Sequence, residues 1–159
     1  MSADTRSNNA ANLGLFRPPL ILLGSILLGV ALRFAMPQRF APASLAAPVG
    51  IILVLASIAL FIAAVRSFRG EGTPVPGDQP TTTIVRRGPY RFSRNPIYLS
   101  FYGFQLGLAF WTNNLWQLLT LVGTVGLIAL VVVRREERYL EAHFPETYIP
   151  YKASVRRWL

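Results

Sequence analysis

Arg86-Arg87-Gly88-Pro89-Tyr90-Arg91-Phe92-Ser93-Arg94-Asn95-Pro96-Ile97-Tyr98-Leu99-Ser100 is the stretch in which a polar connection becomes an apolar helix. Asn95 followed by Pro96 is a helix-start signature, because an asparagine side chain accepts an orphan N–H and proline is pre-set for the first helical position. A helix is therefore predicted from Pro96 into the apolar run Ile97 to Phe110. Its free N–H groups and positive dipole end face Arg86, Arg87, Arg91 and Arg94, so an anion such as a carboxylate is favoured there.

Outward from this point the chain is mostly apolar. It has 159 residues, of which 52% are hydrophobic, and its mean hydropathy is +0.40. The apolar residues are bunched into runs that water would not tolerate, which marks an all-α integral membrane protein. Four transmembrane helices are predicted, at about 18–36, 48–66, 96–111 and 115–134, in a single domain over residues 16–159. Residues 1–15 are small and polar, without a packing pattern, and read as a disordered N-terminus with no secretory cleavage site.

The third and fourth spans are joined by Thr112-Asn113-Asn114, a turn too short for anything but a helical hairpin, and Trp111 and Trp116 flank it where an aromatic belt belongs. Gly103 and Gly107, four apart, allow another helix to approach closely. The connection between spans two and three is long and rich in glycine and proline, with Thr81 to Val85 extended as it returns to the membrane.

Charge orients the chain. The net charge is +9, and the cations gather at the ends of the apolar runs, so anionic lipid headgroups are the expected partner and nucleic acid is not. Arg66, Arg69, Arg86, Arg87, Arg91 and Arg94 fall around the second connection, and Arg134, Arg135, Arg138, Lys152, Arg156 and Arg157 come after the fourth span. The hairpin turn carries none. The positive-inside rule places both basic regions in the cytoplasm, with Arg33 and Arg39 on the other side.

The absences narrow the chemistry. There is no cysteine and His143 is the only histidine, so thiolate catalysis and a Cys- or His-based metal site are excluded. Gly70-Glu71-Gly72 starts like a dinucleotide fingerprint, but it comes after a membrane helix and Pro74 interrupts it, so it reads as a helix exit.

A second cluster lies past the fourth span, in Arg134-Arg135-Glu136-Glu137-Arg138-Tyr139-Leu140-Glu141. Glu137 and Glu141 are four apart, where like charges repel by about 0.2–0.5 kcal/mol, so an optimised set of surface ion pairs does not explain the order. Because spans three and four run antiparallel, Glu136 and Glu137 are expected beside the Asn95-Pro96 helix start. Carboxylates next to arginines and a helix N-terminus suit a zwitterionic ligand. In the aromatic and basic tail, predicted to lie at the interface as a cytoplasmic helix, Tyr148 and Tyr151 share a face if helical. They read first as membrane anchors and second as a cover for a ligand.

Gly88-Pro89-Tyr90, Arg94-Asn95-Pro96-Ile97-Tyr98 and Glu136-Glu137, with Leu140, Phe144, Tyr148 and Tyr151 behind them, resemble the isoprenylcysteine carboxyl methyltransferase and phospholipid methyltransferase family of membrane enzymes. The resemblance runs from Val85 to Trp158. It implies an S-adenosylmethionine-dependent methyltransferase with no Rossmann domain, acting on a lipophilic carboxylate, amine or thiol acceptor. The implied cofactor residues are Tyr90, Arg94, Asn95, Pro96, Tyr98, Leu99, Glu136 and Glu137, of which Arg94 and Glu137 would act in catalysis. The family often has histidine where Asn95 stands here, and glycine at Ser100 and Pro145. Two rival readings are a non-enzymatic membrane adaptor and an NADPH enzyme resembling the sterol reductases.

Overall fold

The computed structural model describes residues 17–74 and 82–159, and these residues form helices joined by short connections, with no strand among them. The helices are α1 (Pro18–Ala35), α2 (Ala43–Gly70), α3 (Pro96–Trp111), α4 (Leu115–His143) and α5 (Pro145–Ser154), with a 3-10 turn at Gly88–Arg91. The expected disorder of residues 1–15, the extended start at Thr81 and the centre of the glycine- and proline-rich connection lie outside the described residues. Residues 82–85 join no ladder.

Helices α1, α2 and α4, of 18, 28 and 29 residues, are long and apolar enough to cross a membrane. Helix α3 has 16 residues, a rise of about 24 Å against a hydrocarbon core of roughly 30 Å. The expected fourth crossing is thus a shorter helix, packed along α2 and α4. Helix α2 begins earlier than its predicted start near residue 48 and runs through Pro48. The missing proline N–H leaves only the Ser44 carbonyl without its intrahelical donor, close to the helix start where Ser44 is exposed.

Small residues bring α2 and α3 into backbone contact. A Cβ at Gly50 would fall on the Trp111 backbone, and one at Gly107 would lie 2.8 Å from the Val54 nitrogen. A Cβ at Gly103 would strike the Ser57 hydroxyl, which donates to Leu53 O at 2.7 Å. The close approach expected of Gly103 and Gly107 is present, and α2 is the helix that exploits it.

The hairpin turn ties both helix pairs together. Asn113 has φ of 47°, in the left-handed region that asparagine tolerates, and its amide accepts from Phe40 N and Ala41 N and donates to Ala41 O. Asn114 caps α4 by accepting from Trp116 N at 3.1 Å and donates to Gly29 O on α1. Arg33, which reads from sequence as a snorkelling cation, donates to Thr112 O.

A polar seam that the apolar reading had hidden joins α1 to the hairpin. Gln105 is fully buried and donates to Ser25 Oγ at 2.7 Å and Thr120 Oγ1 at 3.1 Å, while Thr124 Oγ1 donates to Gln105 Oε1 at 3.0 Å. Gln117 adds a bond to Ile26 O. Hydrogen bonds of this kind hold helices together where lipid offers no hydrophobic driving force between them.

Within α4 the segment Ile128–Val133 is π-helical, and α-helix resumes at Arg134–His143. The wider i→i+5 turn changes the register of every residue after it. It lies directly before Glu136 and Glu137, and Ile128, Val132 and Val133 form a buried apolar group with Tyr98 of α3.

Candidate active site

The site is built where α3 starts and α4 ends. Upstream, Gly88 has φ of 56° and sits against the Ser67 side chain, so the 3-10 turn folds tightly onto α2. That turn drives Tyr90 into a pocket of Ala64, Phe68 and Val85, with its ring 5.2 Å from Phe68 and edge-on to it. Tyr151 Oη donates to the Tyr90 carbonyl at 2.8 Å, which ties α5 to the turn.

Helix α3 begins at Pro96 as the Asn-Pro signature predicts, but Asn95 makes no side-chain cap. Its amide turns the other way and donates to Arg157 O at 3.0 Å, while its own N–H goes to Ser93 Oγ at 3.1 Å. The carbonyl of residue 157 competes for the asparagine side chain and wins, because Asn95 is buried there and its amide N–H needs an acceptor.

Arg94 and Glu137 meet at 2.9 Å, Nη1 to Oε1, with side chains only 9% and 8% exposed. Arg94 Nη1 also donates to Tyr148 Oη at 3.2 Å, and among the described residues Arg94 Nε is buried without a partner. Glu137 is gripped from its other side by Arg157, whose Nε donates to Oε1 at 3.0 Å and Nη2 to Oε2 at 2.6 Å. Glu136, next in the chain, instead accepts from Tyr98 Oη at 2.6 Å through Oε1. The two carboxylates therefore differ: one is saturated by guanidinium groups, the other faces a neutral phenol.

These groups line one end of a cavity of about 610 Å³, within the usual range for small-molecule sites. Tyr90, Arg94, Asn95, Tyr98, Glu136, Glu137, Tyr148 and Tyr151 form the polar end, while Leu20, Phe61, Phe68, Ile97 and Phe101 extend it as an apolar channel between α1, α2 and α3. Pro96 and Leu99, counted from sequence among the ligand contacts, do not line it. Tyr148 and Tyr151 are buried in its wall instead of resting on headgroups. Burial pushes the phenols of Tyr90, Tyr148 and Tyr151 above the usual tyrosine range, so all three stay neutral donors at physiological pH.

Arg157 is the contributor that sequence reasoning missed. Its signal was present in Val155-Arg156-Arg157-Trp158, where two cations precede a tryptophan, a pattern that reads equally as a headgroup anchor. Among the described residues no group of three or more metal-ligating side chains forms.

Over 63 residues the chain is 36% identical to an uncharacterized protein of Haemophilus influenzae, a match covering 40% of this chain and 100% of that protein. No solved structure matches it. The sequence profile of the phospholipid methyltransferase family matches residues 45–147, which takes in α2, α3, α4 and the paired carboxylates. The chain belongs to the phospholipid methyltransferase family, a membership that implies methyl transfer to a membrane lipid or another lipophilic acceptor.

Proposed function

We propose that the chain transfers a methyl group from S-adenosylmethionine to a lipophilic acceptor held in the membrane, at its cytoplasmic face. The observation that carries this reading is the contact of Arg94 with Glu137 at the polar end of a cavity that continues along Leu20, Phe61, Phe68, Ile97 and Phe101, with Arg17 and Thr83 also on its wall. One end suits a charged, water-soluble ligand and the other a greasy one.

The polar end fits the cofactor. Arg94 Nε is a buried donor in want of an acceptor, as the methionine carboxylate would supply. Glu136 lies on the wall with only a neutral hydroxyl against Oε1 among the described residues, so it is the carboxylate open to an ammonium or ribose hydroxyl. The rings of Tyr90, Tyr148 and Tyr151 offer faces for a sulfonium. Bound there, the cofactor supplies a methyl carbon already activated by its positive sulfur.

What remains for the protein is alignment and dryness. Phe61, Phe68, Ile97 and Phe101 exclude water from the channel along which a lipophilic acceptor reaches the polar end. Arg94 and Glu137 fix the start of α3 against the end of α4, so the two halves of the site keep their spacing. An acceptor carboxylate needs no base, whereas an amine or thiol must lose a proton.

The test is a thermal-shift comparison in detergent. S-adenosylhomocysteine is expected to raise the midpoint and NADPH to leave it unchanged. Stabilisation by NADPH alone would point to the reductase reading, and stabilisation by neither to a non-enzymatic protein. Incubation with methyl-labelled cofactor and membrane extract, with mass spectrometry of the products, then identifies the acceptor.

A further inference from the structure

Beyond α5, residues 155–159 turn back against the start of α3. Arg94 N donates to Arg156 O at 3.0 Å, and Arg157 O accepts from both Asn95 Nδ2 at 3.0 Å and Ser93 Oγ at 3.3 Å. Trp158 lies tilted against Tyr102 with ring centroids 5.6 Å apart and packs against the buried group of Tyr98, Ile128, Val132 and Val133. Arg157 is thereby held on both sides, and its guanidinium lies on Glu137 through two hydrogen bonds.

Glu137 is 6% exposed, and a carboxylate so buried requires a cationic partner. Arg94 reaches it through Nη1 alone, while Arg157 covers both of its oxygens, so the two guanidiniums share Glu137. Arg157 does not line the cavity, whereas Arg94 does, and among the described residues the Arg94 Nε is buried without a partner. That Nε is the donor left for a ligand.

We infer that Arg157 is a positioning residue: it shares the ion pairing of Glu137 with Arg94 and so leaves the Arg94 Nε able to hold the carboxylate at the zwitterionic end of the ligand. The segment that carries it lies outside the stretch matched by the family profile, which ends at residue 147. The inference rests on the cofactor reading proposed for this cavity.

Calorimetry on the purified chain in detergent tests it with two ligands, S-adenosylhomocysteine and 5′-methylthioadenosine, which shares the adenosine and thioether but lacks the amino-acid group. Arg157→Gln is expected to weaken S-adenosylhomocysteine about tenfold or more, the scale of one charge-assisted hydrogen bond, and to leave methylthioadenosine within about twofold. Arg157→Lys, which keeps the charge but not the two-point grip, should recover part of the loss. An unchanged affinity in Arg157→Gln, an equal loss for both ligands, or no recovery in Arg157→Lys would overturn the inference and reduce Arg157 to a packing contact. Failure of the wild-type chain to bind S-adenosylhomocysteine would instead overturn the cofactor reading itself.

Discussion

Arg94 Nη1 lies 2.9 Å from Glu137 Oε1, joining the residue just before the N-cap of α3 to the last turns of its hairpin partner α4. Both side chains are nearly inaccessible to water, so the contact is an ion pair in a poorly screened setting, where removing one member costs far more than the pair contributes.

Glu137→Ala is accordingly expected to do two things. It strands Arg94 and leaves Arg157 without its acceptor, lowering stability by about 3 kcal/mol, and it frees the ends of α3 and α4 to separate. Thermal unfolding in detergent should show a clear drop in the midpoint together with loss of S-adenosylhomocysteine binding. An unchanged midpoint would mean the pair is not formed in the folded protein.

Tyr98→Phe separates orientation from packing. It keeps the ring among Ile128, Val132 and Val133 but removes the hydroxyl that donates to Glu136 at 2.6 Å. A hydrogen bond of this kind contributes about 1 kcal/mol, so ligand affinity or turnover should fall several-fold while the fold persists. Equal activity in the variant would show that Glu136 needs no such support.

Gly50→Leu tests the packing that carries the site. A side chain there has no space to enter, since the Trp111 backbone already occupies the Cβ position. Helices α2 and α3 must move apart, at a cost of at least about 2 kcal/mol, and the Tyr90 turn must lose its register with α3. Loss of folded, detergent-soluble protein is the expected result; Gly24→Leu, at a glycine with nothing within 4 Å, is the control that should behave as wild type.

Gln105→Leu is expected to be milder than its full burial suggests. Ser25 and Thr124 can still bond each other at 2.7 Å, and interhelical hydrogen bonds in membranes contribute only about 0.6 kcal/mol on average. A double-mutant cycle with Ser25→Ala should give a coupling below about 2 kcal/mol; a larger value would make the seam a principal determinant of the fold.

Much of this architecture could be read in the chain before any coordinate was known. The helix start at Pro96, the Asn113-Asn114 hairpin and the meeting of the α3 start with the Glu136-Glu137 pair all come from local signatures and antiparallel connectivity. What escaped were the contacts decided by competition between distant groups. Asn95 caps nothing because the Arg157 carbonyl takes its amide, and no periodic pattern announces a bond across 62 positions. The order of residues does not separate Glu136 from Glu137; the grip of Arg157 on Glu137 does. Tyr148 and Tyr151 carry the same amphipathic character whether they face headgroups or a cavity, so their side of the helix had to be seen. The run Val131-Val132-Val133 is apolar in any helix, and nothing in it signals a π turn.

The shortness of α3 has a physical consequence for the lipid around it. A helix of 16 residues, anchored at its hairpin end by Trp111 and Trp116, reaches about 6 Å less than the hydrocarbon is thick. With Trp111 and Trp116 at one interface, its other end, with Arg94 and Asn95, would stop short of the opposite one, a mismatch that local thinning of the leaflet would relieve. Ligand binding measured in bilayers of shorter acyl chains is then expected to exceed that in bilayers of longer ones.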